Sequence, residues 1–406
     1  MQIRFTTDED REVFSATAHT AFGLFPDVPG EDGGGFWWSL LERDRTLLAT
    51  GENAEPAGTA GAYAFELTLP GGMVAATTGV TTVGVLPTHR RRGVLTALMA
   101  HQLADLRARG EVLCVLLASE ATIYGRFGYG PATYTARLTV PRHRAAFAVP
   151  RATGTDSGSV AGTVEVLKRA DCGEILEAVY DRYRRAQPGA LSRPHRWWAL
   201  GAGQPPISAA PRYVAVHRDL DGVPDGYASY AIESRTLTVD ETIAADDAVT
   251  TALARFALGH DLVAEVVFKH FPPEHPLRWQ LADFRAGEVN DDSDWLWVRL
   301  LDVPGALTAR GYVTDGELVL DVDDPFLGEH VRYLLTVRDG KAECVPTDRE
   351  PDLSLDVRDL GSIYLGGTAP STLVRAGHIR AHHPRAAALA DALFRAERSP
   401  HCLHWF

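Results

Sequence analysis

The chain has 406 residues, 45% hydrophobic and 23% charged, with four cysteines and a formal net charge of −13. That length supports two or three domains, each with its own core, and the acidic balance excludes a general nucleic-acid binder, which carries a basic footprint. No run approaches the ~18 apolar residues of a membrane-spanning helix, and MQIRFTTDED has no apolar stretch behind its charges, so a cytoplasmic chain without leader or membrane partner is expected.

In chain order, an opening helix leads to the Gly-rich PGEDGGG (29–35), read as a loop before FWWSLLERDRTLLAT. Strand-like runs follow at 60–69 and 74–85, then a helix over 91–109 and the apolar strand VLCVLLAS (112–119). Strand, helix and strand in this order predict an α/β domain with a parallel pair. ATGTDSGSVAGTV (152–164) is small and polar, as in a linker. Residues from about 165 to 290 repeat the scheme, with strands RYVAVHRD, GYASYAIES and RTLTVDETIA, helix AVTTALARFALG and strand LVAEVVFKH. A third section begins near DDSDWLWVRLLDVPGAL and holds short strands with helices at 370–376 and 385–396. The expected domains are therefore 1–150, 151–290 and 291–406. Cys114, Cys172, Cys344 and Cys402 are scattered without a CxxC pair, which fits neither a disulfide framework nor a zinc set. His401 and His404 flank Cys402 without a third ligand in reach, so no metal is expected there.

Charge is unevenly spread. Residues 1–60 carry 11 acidic and four basic side chains, whereas residues 85–145 carry nine arginines and three acids. Within the basic sector, VLPTHRRRGVLTALMAHQLADLRARG (85–110) places Pro87 after a strand and Arg90, Arg91, Arg92 and Gly93 before a helix. Val94, Leu95, Leu98, Met99, Leu103 and Leu106 form that helix's apolar face, which packs on a sheet. Its first-turn N–H groups then point outward beside three guanidiniums, a pyrophosphate site, and Gly93 lets the backbone approach without a Cβ in the way. The matching place in the second section, ETIAADDAVTTAL (241–253), has Asp246 and Asp247 at the helix entrance. Carboxylates cap a helix well but repel a phosphate, so one cofactor site per chain is expected.

Arg90-Arg91-Arg92-Gly93-Val94-Leu95 resembles the R-x-x-G-x-A/G signature of the GCN5-related N-acetyltransferases, with Leu95 larger than the usual last residue. Together with ASEATIYGRFGYGPAT (118–133), PTHRRRG resembles the Eis (enhanced intracellular survival) family of actinobacterial N-acetyltransferases. The glycines at 125, 128 and 130 alternate with aromatics that obstruct a nucleotide, so they read as a turn aiming Tyr124 at the preceding strand. LDVRDLGSIYLGGTAPSTLVRAGHI (355–379) is similar to the family's last module.

The resemblance covers the whole chain. It implies an α/β (α+β) fold of tandem acetyltransferase-like domains, the second degenerate, followed by a sterol-carrier-protein-like α+β domain. It also implies a homohexamer that uses acetyl-CoA to acetylate amines such as aminoglycosides and lysine-containing peptides. By the same resemblance, Val83 N–H polarises the acetyl carbonyl and Val83 and Val85 hold the pantetheine. Arg90, Arg91, Gly93 and Val94, with Ser119 and Glu120, complete the cofactor set. Tyr124 is the general acid and Tyr129 a packing residue. HCLHWF closes the sequence on an apolar pair, and the Phe406 carboxylate inherits the role of general base. Phe22, Asp27, Trp37 or Trp38, and Trp405 are assigned to the amine. Leu24 and Trp405 stand where the family has acids, so the pocket is expected to favour smaller or more apolar amines, with cation–π contact from a tryptophan. Two other readings remain: a protein lysine acetyltransferase, and a catalytically idle module that binds acyl-CoA or a lipid.

Overall fold

The computed structural model describes residues 1–23, 33–148, 162–199 and 212–406, the side chains of 33–36 excepted. Leu24, Asp27 and most of the expected linker at 152–164 lie outside this set. β1 (Gln2–Phe5) and α1 (Arg11–Ala21) lead to α2 (Gly33–Leu40), β2 (Leu47–Thr50) and the long strands β3 (Pro56–Thr68) and β4 (Val74–Val85). The glycines of PGEDGGG at 33–35 thus begin a helix rather than end a loop. α3 (Val94–Ala108), β5 (Leu113–Leu117), the single-turn α4 (Ala121–Tyr124) and β6 (Gly130–Pro131) follow.

Next come β7 (Tyr134–Pro141), β8 (Thr163–Lys168), α5 (Ile175–Arg184), α6 (His195–Ala199), β9 (Tyr213–Arg218) and β10 (Pro224–Glu233). The series continues with β11 (Thr236–Ala244), α7 (Asp247–Leu258), β12 (Glu265–Phe271), α8 (Leu277–Gln280) and β13 (Glu288–Asp294). The remainder holds β14 (Leu296–Leu300), α9 (Val303–Ala309), β15 (Gly316–Asp324), β16 (Glu329–Arg338), β17 (Lys341–Pro346) and β18 (Leu353–Asp356). α10 (Val357–Tyr364), α11 (Pro370–Arg375), β19 (Arg380–Ala381) and α12 (Ala386–Phe394) close the series.

The chain forms two units. The first comprises Met1–Ala132, Leu296–Glu397 and Phe406; the second comprises Thr133–Trp295 and Arg398–Trp405. The sheets therefore divide at 132/133 and 295/296, where the sequence pattern places breaks near 150 and 290. The physical reason is strand exchange: β7 pairs with β12 and β13 in the second sheet, while β14 inserts between β5 and β6 in the first.

In the first unit, the sheet runs β1-β2-β3-β4-β5-β14-β6, and a smaller sheet runs β17-β16-β15-β18-β19. Met99, Leu103 and Leu106 of α3 pack with Val80, Cys114 and Leu116 and with Trp297 and Leu301. Val94 and Leu98 pack towards Leu47, Ala49, Ala57 and Ala60. The predicted apolar face of α3 is thus the core face, with Gln102 also buried and donating to Gly61 O at 3.4 Å.

The second unit repeats the layout, with sheet order β13-β7-β12-β11-β10-β9-β8. α7 covers one face through Val249, Leu253, Ala254, Ala257 and Leu258. α5 covers the other through Leu176, Val179, Tyr180 and Tyr183, where Leu403 also packs. All four cysteines are buried free thiols. Among the described residues no helix is long and apolar enough to cross a membrane, and no group of three or more His, Cys, Asp or Glu is placed to hold a metal.

Four histidines lie inside the second unit. Burial lowers His270 and His275 to about 4, His401 to about 3, and His404 well below its ordinary value. An unfolded imidazole gains its proton as pH falls through about 6.5, the folded ones only near 4 or below. The unfolded chain thus binds more protons in that window, so stability is full above ~6.5 and is lost as pH falls from there towards 4. Thermal unfolding followed against pH should show a midpoint that declines through this window. His275→Gln with His401→Gln should flatten the decline; an unchanged slope would assign it to other groups.

Candidate active site

β3 and β4 pair from Gly58–Val85 to Thr68–Val74, but the register slips between Thr59–Gly84 and Gly61–Thr81. Two residues of β4, Thr82 and Val83, therefore oppose one residue of β3. Thr82 takes φ 45°, unusual for a β-branched residue, and its carbonyl accepts from Thr59 Oγ1 at 2.8 Å. A bulge bends its strand away from the neighbour. Accordingly β4 runs parallel to β5 only over Thr78–Val80 against Cys114–Leu116. Beyond Val80 the two strands are no longer paired, and among the described residues Val83 has no registered partner on either side.

One lip of this opening is the end of β4 with the entrance to α3. Gly93 is the N-cap, at φ 80°. A Cβ there would meet nothing within 4 Å, so its left-handed backbone, rather than crowding, is what calls for glycine. The cap carries no side chain, and no acid lies in the first turn, so among the described residues no side chain caps the N-terminal amides of this 15-residue helix. Arg91, itself at φ 61°, and Arg92 are exposed, with no ion pair or hydrogen bond among the described residues. Arg90 differs. Its guanidinium donates to Ala21 O at 3.0 Å and Val85 O at 3.3 Å, tying the end of α1 to the end of β4. Val94 is 4% exposed and contributes its backbone rather than its side chain to this entrance.

The other lip is the end of β5. Ser119 and Glu120 are exposed beyond it, and Glu120 is the extended N-cap of α4. Tyr124 ends that helix, 6% exposed, and burial, with a smaller push from Glu120, raises its phenol to about 12. Tyr129 is fully buried, edge-on to Tyr124 at 6.2 Å, and its hydroxyl meets Cys114 Sγ at 3.1 Å. It packs, as expected.

Phe406 belongs to the same unit. It is 8% exposed, with its ring 5.3 Å from that of Phe65 and 6.3 Å from that of Tyr63, both on β3. Phe22 follows α1, 49% exposed, and Trp37 is half-buried on α2. Trp38 departs from expectation. It is a core residue, packed on Phe14 at 5.2 Å, and Arg43 already lies over its ring at 4.3 Å. Trp405 belongs to the second unit and is 37% exposed.

The second unit keeps the geometry and changes the chemistry. β11 bulges at Asp240, and its parallel pairing with β12 stops at Val239–Phe268. Beyond that point Asp240 pairs with Arg212 at 2.6 Å and Lys269 at 3.8 Å, while Glu241 meets Arg193 at 2.9 Å and Tyr227 Oη at 3.0 Å. Arg193 is held over Tyr180 at 4.1 Å and Trp198 at 4.6 Å. At the entrance to α7, Asp246 accepts from Val249 N at 2.8 Å and Asp247 pairs with Arg398. Sequence reading identified the two capping acids but not the buried pairs, whose members lie up to 48 residues apart in the chain.

A sheet that opens at a bulge beside an uncapped, arginine-flanked helix entrance defines a GCN5-related N-acetyltransferase fold. Comparison with known proteins agrees. Acetyltransferase (GNAT) domain families match residues 2–132 and 189–300, and the sterol carrier protein domain family matches residues 303–403. An uncharacterized N-acetyltransferase of Streptomyces griseus is 37% identical over 354 residues, covering 84% of each chain. The N-acetyltransferase Eis of Mycobacterium tuberculosis is 34% identical over 392 residues, covering 93% of each. The crystal structure of Eis1 from Mycobacterium abscessus superposes with a TM-score of 0.85 at 35% identity, covering 100% of both chains. The chain belongs to the Eis family of N-acetyltransferases, and is itself an acyltransferase with two acetyltransferase-type domains and a sterol-carrier-like domain.

Gly79 of β4 lies under the terminal aromatic cluster. A Cβ there would fall 2.5 Å from the Phe65 ring and 3.0 Å from the Phe406 ring. Overpacking of this kind costs about 1–3 kcal/mol. Gly79→Ala should lower stability by that amount in denaturant titration, and a neutral result would show that the rings yield without cost.

Proposed function

We propose that the chain transfers the acetyl group of acetyl-CoA directly to a primary amine, using one site in its first unit. The observation that carries this reading is the opened β4–β5 edge beside the uncapped entrance to α3. Bare N–H groups at the positive end of a helix, with Arg91 and Arg92 alongside, suit a pyrophosphate. The second entrance, capped by Asp246, does not.

Acetyl-CoA supplies an activated thioester; the remaining work falls to the chain. Val83, which lies at the bulge, donates its N–H to the acetyl carbonyl where negative charge develops, the role the family resemblance gives it. Val85 on one lip, and Ser119 and Glu120 on the other, line the pantetheine. A phenol held near 12 stays protonated at neutral pH, so Tyr124 delivers its proton to the departing sulfur. The Phe406 carboxylate holds the ammonium and takes its proton. Phe22, Trp37, Tyr63 and Phe65 give the amine an aromatic rather than anionic setting. Smaller or more apolar amines than an aminoglycoside follow from that setting, and from Leu24 and Trp405 standing where the family has acids. Assembly as a cytoplasmic homohexamer is part of the same reading, by family resemblance.

Cofactor binding is tested by charge reversal. Arg91→Glu with Arg92→Glu should raise KM for acetyl-CoA at least tenfold, about 1.4 kcal/mol, in a thiol-release assay. Asp246→Asn should leave it within twofold. Equal losses from both changes would overturn the single-site reading.

The terminal base is tested by chemistry at one atom group. Amidation of Phe406 removes the charge and keeps the ring, and turnover should fall by about 10²-fold, as for a lost proton-transfer group. A Gly-Ser extension should do the same, because each added residue moves the carboxylate by about 3.3–3.6 Å. Full-speed turnover by the amide would remove Phe406 from the chemistry.

A further inference from the structure

Arg299, on β14, is fully buried, and nothing in the reaction uses it directly. Its Nη2 pairs with Asp324 at the end of β15, but among the described residues Nε and Nη1 have no hydrogen-bond partner. Burying a guanidinium with two unpaired donors is costly, and an apolar side chain of similar length would avoid that cost. What the guanidinium supplies is a flat, anchored surface. A Cβ on Gly128 would lie 2.6 Å from Nη1, 2.7 Å from Cζ and 2.8 Å from Nε, so the plane of the group lies against the Gly128 backbone, which is at φ 81°.

That backbone is the turn carrying Tyr124. Gly128 N donates to Gly125 O at 3.1 Å, and Tyr129 N donates to Tyr124 O at 3.3 Å. Beneath it, Arg299 is registered opposite Cys114, whose thiol meets the Tyr129 hydroxyl. A second contact reaches the same turn from the loop after β15, where Phe326 sits edge-on to Phe127 at 5.0 Å. Asp324 is itself fixed, accepting from Leu327 N at 3.2 Å.

We propose that Arg299, anchored by Asp324, is a positioning residue that sets the Tyr124 hydroxyl for proton delivery, so that the sterol-carrier-like module supports the catalytic turn of the acetyltransferase domain. This rests on the reading of Tyr124 as the general acid. The test is a double-mutant cycle in which Arg299→Met and Asp324→Asn are each made in the native and the Tyr124→Phe backgrounds. Tyr124→Phe alone should lower kcat by about 10²-fold. Arg299→Met and Asp324→Asn should each lower kcat about tenfold with KM for acetyl-CoA within twofold, and this loss should vanish once Tyr124 is phenylalanine. Asp324→Asn keeps side-chain shape and carries the test if Arg299→Met does not fold.

If Tyr124→Phe costs the expected factor but the tenfold loss persists in its background, the positioning proposal fails and the acid assignment stands. If Tyr124→Phe costs less than twofold, both fail. A lowered melting temperature with native kcat would make Arg299 a packing residue only and likewise overturn the proposal.

Discussion

The site depends on one local constraint, the extra residue that β4 carries at Thr82–Val83. A regular β4 would pair with β5 along its whole length, and every backbone donor in both strands would be spent on the ladder. The bulge bends β4 after Val80 and leaves the Val83–Val85 segment as a lip with its own polar backbone. Helix α3 then begins at the open end of that lip, because Pro87 closes the strand and Gly93 turns the chain at positive φ. Arg90 spends its charge on holding this corner to α1, which leaves Arg91 and Arg92 to face solvent. Three consecutive arginines thus do two different jobs, decided by which carbonyls lie within reach.

The second unit has the same bulge with different chemistry around it. The strand bends at Asp240, and the parallel pairing again ends early. There, however, buried carboxylates on β11 are neutralised by Arg193, Arg212 and Lys269. Removing a single partner from such a pair would strand a buried charge, which is why the pairs stand or fall together. The Arg193 guanidinium lies over two aromatic rings, a setting that holds its plane while Glu241 holds its charge. The same backbone device therefore serves as an opening in one unit and as a charged core in the other.

Sequence periodicity carried the local information well. The apolar face of α3, the strand after it and the acid-capped α7 all lie where spacing and capping chemistry place them, because each is decided by residues within a few turns of one another. Non-local pairing was not legible. Nothing in Tyr134–Pro141 says that it leaves the first sheet, and nothing in Leu296–Leu300 says that it enters it, since both are short apolar runs that fit any interior strand. Of the two tryptophans that the resemblance offered for the amine, Trp38 is buried against Phe14, and the cation over its ring is Arg43, five residues on. Gly93 has a further reason to be glycine that spacing does not reveal, its positive φ at the N-cap of α3.

Strand exchange also changes what counts as the acetyltransferase domain. β6 is joined to the first sheet only through β14, and Trp297 and Leu301 complete the core that holds Tyr124, Phe127 and Tyr129. The residues from 1 to 132 contain the arginine-flanked entrance to α3 and both lips, but β14, which pairs with both β5 and β6, comes from beyond residue 295. The aromatic pair on β3 is likewise completed by Phe406. The helix entrance and both lips are therefore encoded locally, whereas the surroundings of Tyr124 and the aromatic cluster on β3 are completed by residues from beyond position 295. The sterol-carrier-like module follows β14 directly, and its strand β15 places Asp324 on the buried Arg299 of β14, so its packing is continuous with the first sheet.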